Sequence, residues 1–223
     1  KNETTSLMIG HDNIAPSIPV ITLSEYGNTN QPSFTIVTDE VNGGVVTLFS
    51  DSSCSVALNV DTSTFSDDQI AFNLDVSSQL STDGPYEFYA VVTDHSGLAS
   101  SCSTVANYNY DTVPPVTIVN FTKGAGDKKI GDDLALLLEG TCETGTSLVF
   151  TVQSISQELS CVASAFSFNE IDLMTIPDGN HTVSVVSTDL SGNTATFNQP
   201  FLKDIVAPPE LVLDTITNAK FDS

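Results

Sequence analysis

The stretch Asp83-Gly84-Pro85-Tyr86-Glu87-Phe88-Tyr89-Ala90-Val91-Val92-Thr93-Asp94-His95-Ser96-Gly97 has a second version at 178–192. Both versions open with Asp-Gly and close with Thr-Asp-x-Ser-Gly, at an offset of 95 residues (83 to 178). Between these ends the run Phe88 to Val92 sends alternate side chains to opposite faces, which predicts a strand with one face in a core. Agreement of both motifs at one offset is improbable by chance. We therefore interpret the chain as two homologous repeats.

Three proline-containing segments mark the boundaries of these repeats. Each reads Asp-x-[Ile/Val]-[Ala/Pro]-Pro, at 12–16, 111–115 and 204–208. Proline has no amide hydrogen and favours extended geometry in the residue before it, so each segment predicts a stiff hinge. The predicted segments are 1–11, a closing strand of a preceding module or a donated strand; 12–110, the first domain; 111–203, the second domain; and 204–223, the first strand of a following module.

Short runs rich in β-branched and aromatic residues alternate with Gly, Asn, Asp and Ser clusters within each repeat. This spacing is typical of antiparallel β-sandwiches. The predicted strands of the first repeat are 20–23, 34–38, 45–49, 70–76, 86–93 and 102–110, and those of the second are 116–121, 134–139, 147–154, 165–168, 181–188 and 194–201. The predicted fold class is all-β, with two antiparallel sandwiches in tandem.

The charge of the chain excludes several classes of partner. It carries 28 acidic and 6 basic residues, for a formal net charge of −22. Nucleic acids and anionic membranes are bound through clustered Lys and Arg, so neither is a predicted partner. No apolar run approaches the ~18 residues that a transmembrane helix needs, so no membrane span is predicted.

The four cysteines fall two to a repeat, Cys54 and Cys102 in the first and Cys142 and Cys161 in the second. Three pairings exist for four cysteines. Pairing within each repeat is the natural one because each domain should fold alone, while buried free thiols are the alternative. Disulfides predict an extracellular location, since they persist in oxidising compartments.

The order of Asp-Gly-x-[Tyr/His], Thr-Asp-x-Ser-Gly and the Asp-x-[Ile/Val]-x-Pro hinge resembles the bacterial immunoglobulin-like modules of large surface adhesins and secreted proteins. The resemblance covers both repeats and the terminal segments 1–11 and 204–223, and implies tandem immunoglobulin-like sandwiches. Tyr86 resembles the tyrosine corner of such domains, whose hydroxyl is tied to nearby backbone. His181 takes the equivalent place in the second repeat, where a structural stand-in is favoured over a base or ligand.

The same resemblance implies calcium at the domain junctions, held by turn and hinge acids. The candidate metal ligands are Asp94 and Asp189 in the turns and Asp111, Asp204 and Asp12 in the hinges. Ca²⁺ takes about 6–8 oxygen ligands and relieves clustered carboxylates, so bound calcium would stiffen a joint. The alternative is that the turn acids cap their own backbone. Both acids of a repeat are expected at the same end of the domain.

No catalytic or cofactor-binding motif emerges, so the chain is predicted not to be an enzyme. The histidines form no triad pattern, and phosphate-binding and dinucleotide motifs are absent from the sequence. We expect a structural or adhesive stalk module of a bacterial surface protein, with neighbouring modules and host or cell-surface glycans or proteins as partners. The alternatives are a filament subunit that pairs with identical subunits through its end strands, and a carbohydrate-binding accessory module of a secreted enzyme.

Overall fold

The centre of each half of the structure is a ten-residue strand, Gly84–Thr93 in one and Gly179–Thr188 in the other. The computed structural model describes residues 12–40, 44–58, 63–65, 69–73, 76, 78–129, 131–207 and 209. The chain divides into two compact units, Lys1–Pro115 with Thr188–Thr194 and Val116–Ser187 with Ala195–Ser223. The domain boundaries read from the sequence stay a prediction, and the end strands at 1–11 and 210–223 lie outside the described residues.

The described part of the first unit consists of eight strands in two sheets. They are β1 (Val20–Thr22), β2 (Tyr26–Gly27), β3 (Ser33–Val37), β4 (Gly44–Phe49), β5 (Ser63–Phe65), β6 (Gln69–Asn73), β7 (Gly84–Thr93) and β8 (Ala106–Tyr110). One sheet has the order β1-β3-β6 and the other β2-β8-β7-β4-β5. All pairs are antiparallel except the short pair β2–β8, which is parallel.

The described part of the second unit repeats this arrangement with nine strands. They are β9 (Ile118–Lys123), β10 (Lys128–Lys129), β11 (Ala135–Thr141), β12 (Ser147–Val152), β13 (Ile155–Ser160), β14 (Ala165–Ser167), β15 (Ile171–Asp172), β16 (Gly179–Thr188) and β17 (Thr194–Asp204). One sheet has the order β10-β17-β16-β12-β13, and in the other β11 pairs with β9, β14 and β15. A 3₁₀ turn at Leu173–Thr175 follows β15.

The five-stranded sheets of the two units have the same strand order. In each, a two-residue parallel strand pairs with the last strand, which pairs with the ten-residue strand, and an antiparallel pair of strands completes the sheet. The fold class predicted from the sequence, all-β sandwich, is confirmed. Descent of the two units from one duplicated module stays a prediction.

Each unit has a core built from alternate residues of its strands. In the first unit Phe88, Ala90 and Val92 of β7 are buried, and the Phe34 ring meets Phe88 edge-on with centroids 5.0 Å apart. In the second unit Leu148 and Phe150 of β12 are both 0% exposed. This alternation is what the period of two in the sequence predicts.

The predicted disulfides are confirmed, one in each unit. Cys54 pairs with Cys102, and Cys142 pairs with Cys161. The alternative of free thiols is excluded because all four cysteines are bonded. In the portion of the chain that the structure describes, no helix is long and apolar enough to cross a membrane.

Candidate functional site

The corner before each central strand is fastened by one side chain that bonds four residues back. The Tyr86 hydroxyl donates to the Thr82 carbonyl oxygen at 2.7 Å, and His181 Nε2 lies 2.8 Å from the Pro177 carbonyl oxygen. A carbonyl oxygen only accepts, so Nε2 carries the His181 hydrogen and Nδ1 accepts from Gln153 Nε2 at 2.9 Å. Both ring nitrogens are engaged and the residue is 7% exposed. The structural reading of His181 is confirmed.

The turn after each central strand is closed by its aspartate. Asp94 Oδ1 accepts from the Leu98 amide, and Asp189 Oδ1 accepts from the Asn193 amide, both at 2.8 Å. The aspartate amides donate back to the Leu98 and Asn193 carbonyl oxygens at 2.9 and 3.0 Å. The alternative interpretation, that these acids cap their own turn, is what the structure shows. The glycines of the two turns, Gly97 and Gly192, have φ +84 and +89, a conformation that other residues rarely adopt.

Two of the three hinge acids also bond their own backbone. Asp12 Oδ1 accepts from the Ile14 amide at 3.1 Å, and Asp111 Oδ1 accepts from the Val113 amide at 2.9 Å. Asp204 ends β17 opposite Lys129 and is exposed. These Asx turns give the hinge a preferred local conformation before each proline.

The turn acid and the hinge acid of one repeat lie at opposite ends of the central strand. In the β7–β8 pair Gly84 lies opposite Tyr110, so Asp111 is at the start of β7, whereas Asp94 follows its last residue. The ten residues of β7 between these ends span about 30 Å. In the second repeat, likewise, the Ile205 amide donates to Asp178 Oδ2 at 3.3 Å, at the start of β16. The expectation that turn and hinge acids of one repeat share an end was wrong, because it ignored the antiparallel direction of the last strand.

Among the described residues, the predicted metal ligands therefore do not form a preformed site. Within the first unit Asn193 Nδ2 donates to the Asp111 carbonyl oxygen at 2.8 Å and to Asp189 Oδ2 at 3.0 Å, which occupies that carboxylate. Asp94 Oδ2 is buried and has no hydrogen-bond partner among the described residues. The described residues contain no group of three acids, histidines or cysteines that could hold a metal. Calcium binding stays a prediction.

Two polar side chains on the last strands are buried, which the sequence did not predict. Tyr108 and Lys203 are each 2% exposed and are separated by the repeat offset of 95 (108 to 203). The Tyr108 hydroxyl donates to the Thr29 carbonyl oxygen at 2.6 Å, and Lys203 Nζ donates to the Ile176 carbonyl oxygen at 2.5 Å. Burial raises the pKa of Tyr108. The alternation of inward and outward positions along the last strand could have predicted this burial, since both residues occupy inward positions.

A second missed feature is the Asp51 loop beside Cys54. The Asp51 carboxylate accepts hydrogen bonds from the Ser53 hydroxyl, from the Val56 amide at 2.7 Å and from the Ser55 amide at 3.0 Å. These bonds hold the pKa of Asp51 far below its usual range, and the bond from the Ser53 hydroxyl has the largest effect. The Asp-Ser-Ser-Cys-Ser sequence carried the signal, because a short acid before several small residues often binds their amides.

Three solved structures show what this chain is similar to. Fibronectin(III)-like modules of Clostridium thermocellum CbhA share 14% identity over 83% of this chain and 95% of theirs, with a TM-score of 0.48. A tetra-tandem repeat from the extending region of a large adhesion protein shares 21% identity over 85% of this chain and 49% of its own, with a TM-score of 0.37. A Ca²⁺-stabilised adhesin of an Antarctic bacterium shares 13% identity over 87% of this chain and 49% of its own, with a TM-score of 0.41.

The fold assignment rests on the strand order of the two units, since all three TM-scores lie below 0.5. No protein family and no curated protein matches the sequence.

Proposed function

We propose that the chain is a non-catalytic, extracellular, immunoglobulin-like spacer of a bacterial surface protein, which holds a more distal binding region away from the cell. The observation that carries this proposal is that both units have the same sandwich strand order and each contains its own disulfide. Repetition of such a module makes the protein longer and does not require a catalytic site.

The engagement of reactive side chains supports the non-catalytic part of the proposal. Both nitrogens of His181 bond neighbouring groups, and the turn acids Asp94 and Asp189 bond their own loops. A general base needs a free nitrogen or oxygen near a substrate. These groups serve instead to fix the corner and turn of each sandwich.

The linker between the sandwiches has features that suit a mechanical joint. The Thr112 hydroxyl donates to the Asp83 carboxylate at 3.0 Å, and the Val113 amide donates to Asp111. The next two residues are prolines, which restrict φ and remove amide donors. We infer that the linker resists bending close to the end of β8.

Surface display tests the spacer function. A receptor domain is placed at the outer end of the chain, with a cell-surface anchor at the other, and capture of receptor-coated beads is measured. We expect higher capture than with the receptor fused directly to the anchor, and lower capture after replacement of all four cysteines by alanine. Equal capture by all three arrangements would contradict the spacer function.

A filament role through strand exchange is a separate prediction from the sequence. It depends on residues 1–11 and 204–223, most of which lie outside the described residues. Calcium at the junctions likewise stays a prediction.

A further inference from the structure

The first unit carries a groove of about 280 Å³ on the face of its five-stranded sheet. It lies where the short strand β2 runs beside β8 and the start of β7. Its outward-facing lining combines one tyrosine, a proline, two carboxylates and two carboxamides, contributed by Tyr26, Pro85, Glu25, Glu87, Asn107 and Asn109. Tyr86 and Tyr108 also border the groove, but they pack against the core.

The strand register places the polar groups of this groove on one face. Glu87 lies opposite Asn107, and Pro85 lies opposite Asn109 in the antiparallel β7–β8 pair. Tyr26 lies opposite Asn109 on the other side, in the parallel β2–β8 pair. Paired residues project from the same side of a sheet, so the tyrosine, the amides and Glu87 form one continuous surface.

Most hydrogen-bonding groups in the groove are available to a ligand. Glu87 is oriented by the Tyr89 hydroxyl, which donates to its Oε2 at 2.9 Å, while Oε1 bonds no other described residue. The side chains of Glu25, Asn107 and Asn109 also make no hydrogen bond to another described residue. Tyr26 is half-buried, and its backbone carbonyl accepts from Ser24 Oγ at 2.7 Å. An oriented carboxylate and a half-buried tyrosine thus flank free amides.

The chemistry of this surface selects the ligand. Carboxylates accept hydrogen bonds and carboxamides both donate and accept, which matches the hydroxyl groups of a sugar. The face of a tyrosine packs on apolar C–H groups at little cost in conformational freedom. No Lys or Arg lines the groove, so phosphate, sulfate and carboxylate groups would meet two uncompensated acids. We propose that this groove binds a neutral saccharide chain.

The second unit provides an internal comparison. Its groove of about 820 Å³ lies at the equivalent place, where Thr182 and Leu202 occupy the positions of Glu87 and Asn107 at the 95-residue offset. Leucine side chains cannot hydrogen-bond, and two of the polar side chains in this second groove are engaged: Gln153 bonds His181, and Asp127 accepts from the Leu202 amide. Its aromatic side chains, His181 and Phe201, are buried, so of its described lining only Asn180 and Thr182 remain as free polar groups beside no exposed ring. Saccharide binding is therefore assigned to the first unit. It goes beyond the spacer function, which does not need the groove, so bead capture and saccharide binding can fail independently.

The experiment titrates the full chain with neutral oligosaccharides and follows backbone amide NMR shifts. The probes are cellohexaose, xylohexaose, mannohexaose and N-acetylchitohexaose. We expect at least one to shift the amides of β2, β7 and β8. The variant Asn107→Leu, which installs the residue of the second groove, should weaken binding about tenfold through lost hydrogen bonds. The matched control Thr182→Ala should bind as the unchanged chain does.

Three results would overturn the proposal. The first is the absence of shifts with all four neutral probes. The second is equal binding by the Asn107→Leu variant when its melting midpoint is unchanged, because the groove would then not be the site. The third is binding at the groove by an oligolysine peptide but by no saccharide, which would make the two acids a docking point for a basic protein.

Discussion

Reduction of the disulfides should lengthen the two mechanical unfolding steps of the chain by different amounts. Cys54 and Cys102 are separated by 48 residues, and Cys142 and Cys161 by 19. While each bond is intact, the residues between its cysteines cannot extend under force. An extended chain spans about 3.3–3.6 Å per residue, so reduction should add about 160–170 Å to one step and about 60–70 Å to the other.

Single-molecule force spectroscopy measures these lengths directly. The chain is stretched between marker domains before and after treatment with a thiol reductant, and the contour-length gain of each step is compared. The double variant Cys142→Ala with Cys161→Ala is the control. Its second unit should already unfold with the additional length of about 60–70 Å in the absence of reductant, whereas its first unit should gain the additional length of about 160–170 Å only after reduction. Equal gains in both steps, or a single step for the whole chain, would refute the assignment of one disulfide to each separately folding sandwich.

Four further results are expected. Gly140→Ala should destabilise the second unit by at least about 3 kcal/mol, since the new Cβ would lie 1.8 Å from the Ile118 carbonyl oxygen, whereas exposed Thr141→Ala should have little effect in the same urea titration. Tyr86→Phe should cost about 1 kcal/mol in urea unfolding through the lost corner hydrogen bond, and no change would argue against that bond. Asp51 has a depressed pKa, so its contribution is present above the ordinary aspartate pKa and is lost as pH falls through the lower folded value. Asp51→Asn should therefore lower stability at neutral pH and reduce the acid sensitivity of the melting midpoint; an unaltered pH profile would contradict this. Calcium binding predicts a melting midpoint that rises with calcium and falls with excess chelator, and identical midpoints would end the calcium prediction.

The strands that pack a core could be predicted from the sequence. The central strand Gly84–Thr93 begins two residues before the predicted 86–93, and Gly179–Thr188 begins two residues before 181–188. The alternation of their side chains carries enough information because one face of each strand packs against a core. The disulfide pairing could also be predicted from the sequence, since each pair of cysteines lies within one repeat.

The short edge strands could not be predicted, because partners far along the chain create them. Tyr26–Gly27 and Lys128–Lys129 are two residues long and are strands only through their pairing with the last strand of each unit. The hairpin from β12 to β13 was missed for another reason. Its turn places Gln153 at φ +51, where Gly or Asn is usual, so 147–154 reads as one continuous strand.

The placement of the acids required strand direction as well as sequence motifs. Asp94 and Asp111 are close in the sequence, and each lies just after a strand. The antiparallel register separates them by the full length of β7. Burial of Lys203 was equally hidden, since a lysine ordinarily marks a solvated face and this one caps the carbonyl groups after a 3₁₀ turn.

The most direct test of two separate sandwiches is to express residues 1–115 and 116–223 as independent proteins and record their amide NMR spectra. If each half has its own core and its own disulfide, both spectra should be dispersed, and together they should reproduce most peaks of the full chain. A collapsed, narrow spectrum from either half would show that the chain folds as one continuous structure and would contradict the account.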